Sequence, residues 1–187
     1  MATLLTHALA GAALADCKSP HRQLTRWWIM AALCSMLPDI DVIGFGFGIH
    51  YGDLWGHRGM THSLLFAAVV GFTAALFSGD AGKKPVTGLW LFLITASHGV
   101  LDAMTNGGLG VAFFSPFDRH RYFFPFRPIA VSPIGPHGIV SSHMAHILGT
   151  EVLWVWAPMA LAWMMVRGLQ NFAARRSEAG TASAAEE

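Results

Sequence analysis

The sequence predicts an all-α membrane protein: a polytopic bundle of about five short helices with one long loop rich in proline and phenylalanine. Three observations carry that prediction. Hydrophobic residues make up 53% of the 187 and charged residues only 12%, whereas a soluble domain averages about 25% charged. Mean hydropathy is +0.46, and the apolar residues fall into five runs bounded by charge. Finally, 10 histidines stand beside 11 acids and 12 bases, although histidine is costly in lipid unless it has a partner. Such a chain carries too little charge to cover a soluble enzyme and too many apolar residues for disorder. A formal net charge of +1 gives no footprint for nucleic acid. The two cysteines, Cys17 and Cys34, make neither a disulfide framework nor a CxxC zinc pair.

The first apolar run covers 2–15 and is interrupted by His7. No basic segment precedes it, so it reads as a retained helix and not as a cleaved signal. The second covers 27–37 and continues past Pro38-Asp39-Ile40-Asp41 into a Gly/Phe-rich stretch. The third covers 61–78, the fourth 85–103, and the fifth 147–166, broken by Glu151 and Pro158. A span needs about 20 apolar residues. Most of these runs are a little short, but five of them in so uncharged a chain favour a membrane. Residues 16–26 read as a polar, basic connection. Residues 104–146 form a long loop with five of the nine prolines, Pro116, Pro125, Pro128, Pro133 and Pro136. Its phenylalanines argue against disorder and for a place at the membrane–water boundary. The expected organisation is one membrane-embedded unit over 1–168, followed by a polar, disordered tail over 169–187.

Charge sets the orientation. Lys18, Arg22, Arg26, Lys83, Lys84, Arg167, Arg175 and Arg176 fall on one side of a five-helix reading; Arg58, Arg119, Arg121 and Arg127 fall on the other. The positive-inside rule makes the first side cytoplasmic. His7, Asp39, Asp41, His57, His62, His98, Asp102 and Glu151 then all lie toward the opposite, periplasmic face.

Those eight residues carry the chemistry. His98-Gly-Val-Leu-Asp102 is HxxxD, and residues i and i+4 of a helix share one face about one turn apart. Thr95, His98, Asp102, Thr105 and Asn106 extend that polar seam. Asp39 and Asp41 follow a proline that breaks the helix, and acids there oppose the helix dipole unless a cation or partner neutralises them. His57-Arg58-Gly59-Met60-Thr61-His62-Ser63 is the densest cluster, with Thr61 or Ser63 placed to cap the third helix. Four histidines and four carboxylates without cysteine make an N/O donor set. It suits zinc, or alternatively manganese, with donors enough for two or three ions. The expected metal ligands are His7, Asp39, Asp41, His57, His62, His98 and Asp102. Glu151 is the expected base and Arg58 the anchor for an anionic substrate oxygen. His50, His120, His137, His143 and His146 read as loop or interface residues, with His143 and His146 placed to approach Glu151. No phosphate loop, dinucleotide fingerprint or GxSxG is present.

Thr6-His7-Ala8, Leu37-Pro38-Asp39-Ile40-Asp41, Gly56 through Ser63 and the His98–Asp102 block together resemble the signature blocks of the YbcI/YdjM-type inner-membrane proteins. The likeness extends through Trp90-Leu91-Phe92-Leu93 and Glu151-Val152-Leu153-Trp154-Val155-Trp156, over roughly residues 3–168, and is nearest the YbcI branch. It implies a multi-pass protein of the bacterial inner membrane and a metal-dependent hydrolase. More distantly, the order of His and Asp is similar to the zinc-dependent phospholipase C and P1-nuclease group, which implies phosphodiester chemistry. This sequence lacks that group's N-terminal Trp ligand and its soluble character. The expected activity is hydrolysis of an ester or phosphoester, lipid-like in character, at the membrane interface, with the bilayer as the surrounding partner. Two other classes use the same residues: a cation- or proton-handling transporter, and a non-catalytic membrane protein whose polar seam holds helices together.

Overall fold

The computed structural model describes residues 1–18, 24–79, 82–134 and 142–185. Arg22, Pro136 and His137 lie outside them. In chain order the elements are α1 (Leu4–Lys18), α2 (Leu24–Met36), a 3-10 helix (Leu37–Phe47), a single 3-10 turn (Met60–His62), α3 (Leu64–Leu76) and α4 (Lys84–Ala103). Then come α5 (Ser142–Glu151), a π-helical turn (Val152–Trp156) and α6 (Ala157–Ala185). The last three run on without a break, so the described residues form five helical rods. The described residues hold no strand, only the isolated bridges Thr105–Ile129 and Val111–Tyr122.

Local chemistry sets the boundaries. Pro38 lacks an amide proton, so the α ladder of α2 stops and the chain tightens into the 3-10 helix. Gly48 ends that helix at φ 78°, a conformation that glycine adopts at no steric cost. Ser63, and not Thr61, caps α3: its side chain accepts the Phe66 amide at 3.1 Å. Pro158 likewise removes a donor and crowds the carbonyl four residues earlier, and the helix widens to π just there. Where composition predicted a disordered tail, the helix continues to Ala185; Ala, Arg, Gln and Glu are strong helix formers.

Small residues let the rods approach. A Cβ on Gly11 would lie 2.8 Å from the Ala31 carbonyl oxygen, and one on Gly71 would lie 2.3 Å from the Phe92 amide nitrogen. These positions fix the α1–α2 and α3–α4 crossings. The core between them is Ala15, Ala31, Cys34, Ala75, Leu91 and Ile94. At one end, Trp27 Nε1 donates to the Ala15 carbonyl and Trp90 Nε1 to that of Leu14, both at 2.9 Å. Leu33, Val69, Leu89 and Leu161 are exposed on the outer faces, the arrangement expected where lipid replaces water.

Among the described residues three stretches are long and apolar enough to cross a membrane: Thr25–Phe47, Lys84–Ala103 and Ser142–Ala173. Leu4–Cys17 and Leu64–Leu76 are shorter apolar helices. The loop after α4 is ordered over its described part. Leu64 N donates to Phe113 O at 2.9 Å, Ala112 N to Arg58 O at 3.0 Å and Phe124 N to Ala103 O at 3.0 Å. It covers the end of the bundle opposite Trp27 and Trp90, with Phe117 87% exposed at its rim.

Candidate metal centre

Beneath that loop the rods deliver their polar residues to one place. The last turns of α4 bring His98 and Asp102, the start of α1 brings His7, and the 3-10 helix brings Asp39 and Asp41. The segment before α3 brings His57, Arg58, Thr61 and His62. All nine are buried.

Two overlapping groups have donor atoms close enough to hold an ion. One is Asp39, His62, His98 and Asp102; the other is Asp41, His57 and His62; within each, the atoms lie inside 4.8 Å of one another. In the first, Asp39 Oδ1 is 3.4 Å from His98 Nε2 and 3.6 Å from His62 Nε2. Asp102 Oδ2 is 3.6 Å from His62 Nε2 and 4.0 Å from His98 Nε2. The two Nε2 atoms are 3.1 Å apart.

Outer contacts aim these donors. His98 Nδ1 lies 2.7 Å from the Ser35 carbonyl oxygen. A carbonyl only accepts, so Nδ1 carries the proton and Nε2 presents its lone pair inward. Asp41 does the same from the other side. Its Oδ1 is 2.8 Å from His57 Nδ1, and its Oδ2 is 3.2 Å from His62 Nδ1 and accepts from Thr61 Oγ1 at 2.6 Å. Burial opposes a proton on His62, but the nearby carboxylates of Asp102, Asp39 and Asp41 outweigh it and raise its pKa to about 10. In the ion-free protein a proton thus sits where a cation would satisfy the same carboxylates. Burial pushes His57 below its usual range, against the pull of Asp41.

Among the described residues several buried atoms have no hydrogen-bond partner: both oxygens of Asp39, His57 Nε2 and both ring nitrogens of His7. His7 stacks on His98 with ring centroids 3.6 Å apart, and its Nε2 is 3.4 Å from Asp102 Oδ1. Buried polar atoms are nearly always paired, so the unpaired Asp39 oxygens beside His62 Nε2 and His98 Nε2 are compatible with an ion site.

Arg58 packs against Asp102, and Glu151 stands against the start of α1. Arg58 Nε faces Asp102 Oδ2 at 3.0 Å, Nη1 donates to Gly107 O at 2.9 Å and Nη2 to Thr105 Oγ1 at 2.9 Å. Its backbone is held at φ 63°, a conformation that costs a side-chain-bearing residue on the order of 1 kcal/mol and persists only when its surroundings fix it. Glu151 accepts from Thr3 Oγ1 at 2.6 Å and from Thr6 Oγ1 at 2.7 Å, and so ties α5 to the start of α1. His143 and His146 are exposed and stand apart from this pairing.

A model of the YdjM inner membrane protein family matches residues 1–173. The chain belongs to that family. It is 36% identical over 173 residues to inner membrane protein YbcI of Escherichia coli K12, an alignment covering 87% of this chain and 98% of the relative. No solved structure matches the chain. The site is therefore a buried His/Asp cluster, able to bind metal, in a YdjM-family protein of the inner membrane.

Sequence reasoning missed Ser35, whose carbonyl orients His98, and the role of Thr61 as a donor to Asp41. Thr61 stands in the His57–Ser63 block, so proximity in sequence was an available signal. Ser35 acts through its backbone carbonyl and leaves none.

Proposed function

We propose that this family member is a membrane-embedded, metal-dependent hydrolase of an ester or phosphoester presented at the membrane interface. The observation that supports the reading best is the buried Asp39–His62–His98–Asp102 group, in which the unpaired Asp39 Oδ1 lies 3.6 and 3.4 Å from the His62 and His98 Nε2 atoms, themselves 3.1 Å apart. An ion in the first group is held by Asp39, His62, His98 and Asp102, with Asp41 keeping His62 oriented from behind. Oxygen and imidazole donors without thiolate favour zinc, then manganese. Such an ion supplies Lewis acidity, polarising a substrate oxygen and making water a nucleophile near neutral pH. His7 and His57 border the ion position as groups able to take a proton. Arg58 holds Asp102 in place as a positioning residue, and Glu151 positions α1. Asp39, its side chain 6% exposed against 0–1% for Asp41, His57, His62, His98 and Asp102, forms the open edge of the cluster, and substrate would arrive there. By the charge rule that edge faces the periplasm.

Both groups share His62, so a second ion would need both of its ring nitrogens. Elemental analysis of detergent-purified protein tests this directly. Wild type should carry about one equivalent of zinc or manganese, and His98→Ala with Asp102→Ala close to none. Two equivalents would load the Asp41 group as well. Equal, near-zero metal in both proteins would sink the proposal.

The depth of the cluster favours one other reading, in which the bound ion ties the helices together without turnover. In that case substitutions in the cluster lower the melting temperature, and metal-loaded protein releases no product from phospholipid or phosphodiester substrates.

A further inference from the structure

The opposite end of the bundle holds a polar arrangement that the metal centre does not use. Asp16, near the end of α1, is only 3% exposed. Its Oδ2 accepts from Trp163 Nε1 at 2.6 Å and from Arg167 Nη2 at 2.5 Å, while Oδ1 has no partner among the described residues. Arg167 also lies over the Trp163 ring, 5.6 Å from its centroid, and its side chain remains partly exposed. A buried carboxylate oxygen without a donor is costly, and it marks a position where a donor is wanted.

Asp16 and Arg167 form the polar end of a groove of about 500 Å³ bounded by α1, α2 and α6. Leu9, Trp28, Met159 and Trp163 line its sides, and Ala12, Ala13 and Ala160 keep it open. That volume falls within the ~300–1,000 Å³ of ordinary small-molecule sites. The α6 wall lies inside the candidate span Ser142–Ala173, so the molecules at hand are lipids. The polar end stands among the bases that mark the cytoplasmic side, at headgroup level.

We propose that this groove binds a zwitterionic aminophospholipid. One acyl chain lies between α1, α2 and α6, the ammonium donates to Asp16 Oδ1, and the phosphate takes the remaining Arg167 N–H groups. Charge complementarity selects this occupant. An anionic lipid without an ammonium satisfies Arg167 but offers Asp16 Oδ1 at most a neutral hydroxyl donor and leaves a net like charge beside it. The site is independent of the metal centre and holds whether or not that centre turns over a substrate.

Native mass spectrometry of the delipidated full chain, offered equal phosphatidylethanolamine and phosphatidylglycerol with identical acyl chains, tests the proposal. Wild type should retain one phosphatidylethanolamine with about tenfold preference, the worth of one charge-assisted hydrogen bond. Asp16→Asn should bring the two lipids close to parity. Ala160→Phe leaves the ion pair intact and fills the groove, so it should abolish retention of both while melting temperature and metal content hold. If Asp16→Asn fails to fold, Ala160→Phe decides alone. Equal retention of the two lipids by wild type, or retention unchanged by Ala160→Phe, overturns the proposal. So does a dimer that Ala160→Phe abolishes, which would make the groove a contact between copies.

Discussion

Asp39 leaves both carboxylate oxygens without hydrogen bonds, whereas Asp41, two residues later, has both of its own engaged. The 3-10 helix explains the difference. At about three residues per turn, two positions are two-thirds of a turn apart, so the acids meet different neighbours. Asp39 turns to His62 and His98, and Asp41 to His57 and Thr61. Asp39→Asn should therefore leave no stoichiometric metal after dialysis. Asp41→Asn should keep the stoichiometry but weaken affinity by about 10–100-fold, the usual effect of removing an outer carboxylate. Competition with a chromophoric chelator reads both; equal losses would make Asp41 a ligand. The sequence makes the acid pair visible, because a proline and two acids at a helix end demand a cation. It does not separate their roles, which depend on a helix type that periodicity cannot see. His98 and Asp102 were fully legible, since i and i+4 share a face whatever the partner. The threonine pocket of Glu151 was not: Thr3 and Thr6 are 148 and 145 residues away.

At the scale of elements, apolar runs and breaking prolines account for nearly all that the sequence disclosed. Pro38 and Pro158 mark where helices change type, and Ser63 marks where α3 begins. Helix–helix approach was not legible, because a glycine in an apolar run reads the same at a crossing as on an open face. The structure separates the cases. Gly71→Val would drive its side chain into the α4 backbone at Phe92, where even the Cβ has only 2.3 Å. It should destabilise the fold by about 3 kcal/mol, the upper end of overpacking costs, and lower metal content as the α3–α4 crossing opens. Gly149, in α5, meets nothing within 4 Å, so Gly149→Ala should stabilise by up to about 1 kcal/mol through helix propensity alone. Thermal unfolding in one detergent compares the two. A neutral Gly71→Val would mean that the crossing is not the tight contact described.

For the molecule as a whole, the His/Asp cluster lies at one end, with Arg58 and Arg121 beside it, and Arg26 and Arg167 lie at the other, although these residues alternate along the chain. The polarity has a membrane meaning. Arg26 and Arg167 and the tryptophan bonds of Trp27 and Trp90 belong to one end. The loop that covers the cluster, with its exposed Phe114, Phe117, Phe124 and Phe126, belongs to the other. An excess of Lys and Arg holds short loops in the cytoplasm, so the cluster and its aromatic rim are expected to face the periplasm. In a background carrying Cys17→Ser and Cys34→Ala, Phe117→Cys should react with a membrane-impermeant maleimide added to spheroplasts. Lys83→Cys, exposed at the other end, should react only after the membrane is permeabilised. The reverse pattern would place the cluster on the cytoplasmic face, and its substrate would then have to come from that side. Labelling of both without permeabilisation would mean that the two ends are not separated by the bilayer, and the bundle would lie along the membrane instead of across it.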